Sequence, residues 1–256
     1  MKYLLTTIIM CVALIAGAQE YKVAHNGGKL ILEGVDDVKI EAYDGSEVIF
    51  SINSKKDHKE SERAAGLKPI NSLGLEDNTD IGLSVSKDGE NLKAIQIGQC
   101  MCRDNEGYTI KIPKSMGIDY SHSTYDSDHL RIKNVNKEIV VSTNYTNINL
   151  EDVTGPMSIK TVYGDIEAKF ASLNQNSSVS LNSVYGFVDA AIPSTSKARL
   201  NLRTPYGQIY TDFDIKVETT DGMRSLTDKK IEGTVNNGGV DLILKSGYEN
   251  IYLRKK

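Results

Sequence analysis

The side chains able to do chemistry fall into a few short clusters along the 256-residue chain. Cys100-Met101-Cys102 places two thiols at i and i+2, which face the same way if the segment is a strand. A redox pair or two soft metal ligands would use that geometry. The spacing is CxC, however, and neither a second cysteine pair nor a nearby histidine completes a tetrahedral zinc site. A disulfide between Cys100 and Cys102, or two unreactive thiols in a loop before Gly107, is the expectation. Ser121-His122 through Asp128-His129 gathers two histidines with Asp126 and Asp128, a donor set suited to zinc or iron. The histidine spacing matches no metal motif, and Asp126-Ser127-Asp128 lacks the rest of a calcium loop. Such a composition also suits a polar turn. Asp36-Asp37 and Glu151-Asp152 are adjacent carboxylates, so on a strand each pair points to opposite faces. The chain has no Gly-x-Ser-x-Gly elbow, no His-Glu-x-x-His and no phosphate-binding glycine loop. The expectation is therefore no catalytic residue, no cofactor and no metal.

The aromatic content is lopsided, with 13 Tyr, 4 Phe and no Trp, and many tyrosines belong to a repeat. An apolar residue, three residues, Tyr, two residues and a second apolar residue recur as Val141/Tyr145/Ile148, Ile159/Tyr163/Ile166, Leu181/Tyr185/Val188, Leu202/Tyr206/Ile209 and Leu244/Tyr248/Ile251. A hydroxyl stands two positions before each Tyr, at Thr143, Thr161, Ser183, Thr204 and Ser246. Gly follows Tyr at Gly164, Gly186 and Gly207. Steps of 18, 22 and 21 residues separate Tyr145, Tyr163, Tyr185 and Tyr206. Ser123-Thr124-Tyr125 is a degenerate earlier copy. The 42-residue gap before Tyr248 equals two periods, and Thr234 to Val240, with Asn237-Gly238, reads as an imperfect copy inside it.

A period near 20 residues without helical patterning predicts an all-β, solenoid-like stack, one rung per repeat, with a strand on each side of a Tyr-Gly corner. Alternation supports both strands, as in Met157 and Ile159 before a corner and Ile166, Ala168 and Phe170 after it. Stacking would align the hydroxyls in one hydrogen-bonded ladder and Tyr125, Tyr145, Tyr163, Tyr185, Tyr206 and Tyr248 in another. That tyrosine ladder has two readings, a ligand-contact surface or an internal stack. The internal stack is favoured, since buried repeats supply most solenoid stability. A β-sandwich of similar hairpins is the alternative architecture.

The segment 19–115 reads as an N-terminal β portion, with turn signals at Asn26-Gly27-Gly28 and Asp44-Gly45 and a short helix near 57–66. Residues 116–256 hold the repeats, continuous with it in one domain. The first eighteen residues read as a signal peptide: Lys2, an apolar run from Leu4 to Ile15, and Ala16-Gly17-Ala18 as the cleavage site. A lipoprotein reading through Cys11 is weaker, because bulky Met10 precedes that cysteine. No later run is long enough for a transmembrane helix. The composition, 39% hydrophobic and 25% charged, is that of a folded protein, and three cysteines are too few for a disulfide scaffold. A net charge of −4 argues against nucleic acid as a partner.

Taken together, Gly27-Gly28-Lys29-Leu30-Ile31-Leu32-Glu33-Gly34, Thr109-Ile110-Lys111-Ile112-Pro113-Lys114 and rungs such as Thr161-Val162-Tyr163-Gly164-Asp165-Ile166 resemble the bacterial putative-adhesin domain family. That family is an exported β-repeat domain of unknown function, whose rungs read S/T-x-x-G-x-I. The repeated Tyr before Gly is particular to this chain. The resemblance implies a β-repeat architecture and an envelope or extracellular location, and says little about activity. The functional expectation is a non-enzymatic, exported, adhesin-like protein that binds an envelope protein or a polysaccharide. The alternatives are a carbohydrate-active β-helix enzyme and a purely structural scaffold associated with envelope stress.

Overall fold

The computed structural model describes residues 19–52, 67, 69–98, 107–217 and 229–256. The leader expected at 1–18, the helix expected near 57–66 and the Cys100/Cys102 pair lie outside them. The described residues form strands, turns and loops, with no helix among them.

The N-terminal portion supplies β1 (Gln19–Ala24), β2 (Lys29–Glu33), β3 (Val38–Tyr43), β4 (Glu47–Ile52), β5 (Leu83–Asp88), β6 (Asn91–Gln96) and β7 (Tyr108–Pro113). Strand pairs joined by a corner follow: β8 (Gly117–His122) with β9 (His129–Lys133), β10 (Ile139–Thr143) with β11 (Asn147–Val153), and β12 (Met157–Thr161) with β13 (Ile166–Phe170). Next come β14 (Val179–Ser183) with β15 (Val188–Ile192) and β16 (Ala198–Arg203) with β17 (Ile209–Thr211). After β18 (Lys216–Val217) and β19 (Lys230–Val235), β20 (Val240–Ser246) and β21 (Ile251–Lys255) form the last pair.

Each pair places its first strand in one sheet and its second in the other, so the sheets face each other as the walls of a solenoid. One sheet runs β1-β4-β7-β3-β9-β11-β13-β15-β21-β17, and the other β18-β19-β16-β20-β14-β12-β10-β8-β2-β6-β5. Pairing between rungs is parallel, while β1, β4, β5, β18 and β19 close the ends by antiparallel pairing. The strands β2/β3 and β6/β7 are also rungs, so the stack extends into the N-terminal portion.

Period-2 alternation explains the core. Val141, Ile159, Leu181, Leu244 and Leu202 are consecutive register partners in one sheet and are buried. Leu130, Ile148, Ile166, Val188 and Ile251 do the same in the facing sheet. Each such aliphatic side chain stabilises the stack by about 1.5–3 kcal/mol through burial.

Space and sequence disagree in one respect. The last rung in the chain, β20/β21, sits between β14/β15 and β16/β17. The two-period gap therefore holds no further rung among the described residues. Thr234 to Val240 is not a copy of the repeat: Asn236, Asn237 and Gly238 take positive φ in the turn leaving β19. That turn carries the chain past β16, which lies between β19 and β20.

Candidate functional site

Corner chemistry is set by a hydroxyl and a glycine. In the 183–186 corner the Gly186 N–H donates to Ser183 Oγ at 2.9 Å, and Ser183 Oγ–H donates to the Gly164 carbonyl of the preceding rung at 2.8 Å. Thr161, Ser246 and Thr204 repeat this relay with Thr146, Gly186 and Glu249 as carbonyl acceptors. These four hydroxyls thus bond to backbone across rungs rather than to one another, and Thr143 Oγ1 is buried with no hydrogen-bond partner among the described residues, which corrects the expected hydroxyl ladder. Glycine is needed for close approach: a Cβ on Gly164 would lie 1.9 Å from the Thr146 oxygen, and one on Gly186 2.1 Å from the Gly164 oxygen.

These corners throw the intervening tyrosine outward. Tyr163, Tyr185 and Tyr248 each donate their backbone N–H to a corner carbonyl one rung away, at 2.7, 2.8 and 3.0 Å. The rings follow the same spacing. Tyr145–Tyr163, Tyr163–Tyr185, Tyr185–Tyr248 and Tyr248–Tyr206 stack with centroids 5.0, 4.9, 4.7 and 5.0 Å apart, tilted by only 11, 6, 11 and 8°. The order along the stack is 145, 163, 185, 248, 206, with Tyr248 entering where chain order would place Tyr206.

The five rings are 45–70% exposed, so the favoured internal stack is overturned: the ladder is a ridge on the outside. Its physics differs from an array of free aromatic platforms. Interior faces are covered by neighbouring rings, leaving a row of phenol edges and hydroxyls at strand spacing, with outer faces only at the ends. Tyr125 is exposed in the β8–β9 corner and has no ring partner among the described residues. A second, two-ring stack, Tyr210–Tyr252 at 5.3 Å, lies on the β17/β21 wall, with the Arg254 guanidinium 5.0 Å from the Tyr252 centroid. Its signal was a tyrosine four positions after both Tyr206 and Tyr248.

The other reactive clusters disperse. His122 is buried and its Nε2 lies 2.8 Å from Asp36 Oδ1, while Gln96 Nε2 donates to Asp36 Oδ2 at 2.6 Å. His129, Asp126 and Asp128 are exposed on the corner, where Asp37 Oδ1 accepts the Asp128 and His129 backbone N–H groups at 3.0 and 2.9 Å. No group of three or more His, Cys, Asp or Glu able to hold a metal occurs among the described residues. Asp152 meets Lys256 Nζ at 2.7 Å, and this contact lowers the Asp152 pKa. Arg254 likewise grips both Asp189 oxygens at 2.9 Å, from the interior strand β21. That hydrogen bond and charge raise the Arg254 pKa.

Removing one interior ring tests how much the ridge contributes to stability. Tyr185→Ala deletes two stacks and should cost about 1–3 kcal/mol by denaturant unfolding. A core-like loss of about 3–5 kcal/mol would show instead that the ring is packed as a buried aromatic.

Two walls of parallel strands stacked at a recurring corner define a β-solenoid-like repeat protein. The chain belongs to the Toastrack DUF4097 family, whose model matches residues 121–251. A putative cell adhesion protein from Clostridium sporogenes is similar in structure at 11% identity and a TM-score of 0.43, covering 94% of this chain and 100% of that one. A putative adhesin from Bacteroides fragilis gives 10% identity and a TM-score of 0.34, covering 93% and 97%. No curated protein matches the sequence. No helix among the described residues is long and apolar enough to cross a membrane.

Proposed function

We propose that this is an exported, non-enzymatic, adhesin-like protein that binds a polysaccharide or protein of the cell envelope along its tyrosine ridge. The supporting observation is the ridge itself: five aligned, half-exposed tyrosines on the outside of a stack whose aliphatic core is already complete without them. Exposed contiguous aromatic surface of this kind marks interaction sites. Export is read from the Lys2, apolar-run and Ala16-Gly17-Ala18 pattern. The non-enzymatic reading rests on the structural work given to every recurring residue: core aliphatics, corner hydroxyls and close-approach glycines.

The test is a glycan array and envelope-extract capture with the exported protein and with Tyr163→Ser/Tyr185→Ser. The double variant should remain folded by thermal melt and lose binding about tenfold or more. Unchanged capture by the folded variant would refute the ridge as the contact surface. Turnover of any polysaccharide in a panel, lost on replacing a single Asp or His, would refute the non-enzymatic assignment.

A further inference from the structure

The two flanks of the tyrosine ridge carry different charge. On the β10–β16 wall, the residue three positions before each ridge tyrosine forms a row in strand register: Ser142, Lys160, Asn182, Lys245 and Arg203. Three of these five are cations. Lys160 and Lys245 are exposed, and neither forms an ion pair among the described residues. They stand two strand spacings apart, about 9.6 Å, with Arg203 one spacing beyond Lys245. Among the described residues the opposite flank has no matching row of cations. There Asp165 accepts the Phe187 N–H at 3.0 Å, and Asp189 is held by Arg254.

Between the cations and the ridge lies a shallow groove lined by Val184, Pro205, Gly247, Lys245, Arg203 and Asn182, among others. Val184, Gly247 and Pro205 precede the ridge tyrosines on three consecutive rungs, and Gly247 lets its rung approach the Val184 carbonyl, where a Cβ would lie 2.5 Å from the oxygen. A ligand running along the rungs would thus meet phenol hydroxyls on one side, cations on the other and a small apolar floor.

We infer that this groove takes a linear anionic glycan, a carboxylate-bearing polysaccharide laid along the rung axis. The inference rests on the ridge being the contact surface and names its ligand class. Sugars offer hydroxyls for the phenol edges, C–H faces for the Val184–Pro205 floor, and carboxylates for Lys245 in the groove and for Lys160 on the rung beside Asn182. An acidic peptide would gain most from strand addition, but the rungs here already pair on both sides, so no backbone edge is open along the groove. A flat anionic membrane would engage cations on both flanks of a protruding ridge, whereas this row occupies one.

Binding of polygalacturonate, dextran, polyglutamate and phosphatidylglycerol vesicles by the whole exported protein tests the assignment. Polygalacturonate should bind, more weakly as salt approaches 0.15 M, where screening acts over about 8 Å. Dextran should not bind. Lys160→Gln/Lys245→Gln should weaken polygalacturonate binding about tenfold, while Lys39→Gln/Lys111→Gln, two exposed lysines on the other wall, should leave it unchanged. Absence of polygalacturonate binding, or an equal loss in the control pair, would overturn the inference. So would tighter binding of polyglutamate or vesicles. Failure here is separable from failure of the ridge: if polygalacturonate does not bind while the tyrosine variants still lose array or extract capture, only the ligand class falls. If those variants lose nothing, the ridge falls.

Discussion

Gly186→Ala is expected to lower stability by at least about 3 kcal/mol, although it adds one methyl group. That methyl would lie 2.1 Å from the Gly164 carbonyl oxygen and 2.6 Å from Asp165 Oδ1. The backbone oxygen cannot rotate away, because it also accepts the Ser183 hydroxyl that fixes the corner. Relief requires adjacent rungs to separate, which breaks parallel pairing and the aliphatic ladder together. For a domain of this size each kcal/mol moves Tm by about 2–4 °C, so calorimetry should show a fall of roughly 6–12 °C or more. Ser180→Ala, on a strand face away from the core, should stay within about 0.5 kcal/mol of the parent. Equal melting temperatures for the two variants would mean that the rungs are packed more loosely than the corner geometry requires.

A second large effect is expected at high pH. Burial raises the pKa values of Tyr108 and Tyr120 far above the ordinary value of 10.0, and nearby carboxylates add to the shift. Their phenols donate to the Ile81 and Val35 carbonyls at 2.9 and 2.8 Å, contacts available only to the protonated form. The folded state therefore holds these protons more tightly than the unfolded chain. This contribution is intact below pH 10 and is lost as pH rises toward the folded-state values. The decline approaches about 1.4 kcal/mol per pH unit for each tyrosine, or about 2.7 kcal/mol for the pair. Denaturant midpoints measured from pH 9 to pH 11 would reveal the fall. Tyr108→Phe/Tyr120→Phe should start less stable, since two buried carbonyls lose a partner, but with a visibly flatter pH dependence. An unchanged slope would assign the alkaline loss to other groups.

Sequence spacing made the rung legible because the corner is a local device. Hydroxyl, tyrosine and glycine act within four residues, and the flanking alternation follows from strand geometry alone. Rung order was not legible in the same way. All corners carry nearly equivalent motifs, so nothing local to Tyr248 says that its rung lies beside that of Tyr185. The side to which the tyrosines point also escaped local reading: aliphatic residues such as Leu181 and Val188 already fill the interior, so the ring at the corner turns outward. Tyr108 and Tyr120, which share no repeat motif, are the fully buried tyrosines among the described residues. The cation row is written in the sequence as Lys160, Lys245 and Arg203, each three residues before a tyrosine. Only the insertion of β20/β21 makes the last two neighbours.

That insertion also constrains the order in which an emerging chain can fold. A chain emerging from its N-terminus can add β8 through β15 rung by rung, each new strand finding its template already in place. The strands β16 and β17 break the sequence. Their inward-facing parallel partners, β20 and β21, emerge only later, at residues 240–255. Until then the growing solenoid presents an unfinished edge, a template for pairing with the wrong chain. The β20/β21 rung acts as a keystone, since the two walls become continuous only once it has docked between β14/β15 and β16/β17. A protein severed shortly before Val240 would keep most of its residues but lose the piece that joins its terminal rung to the rest.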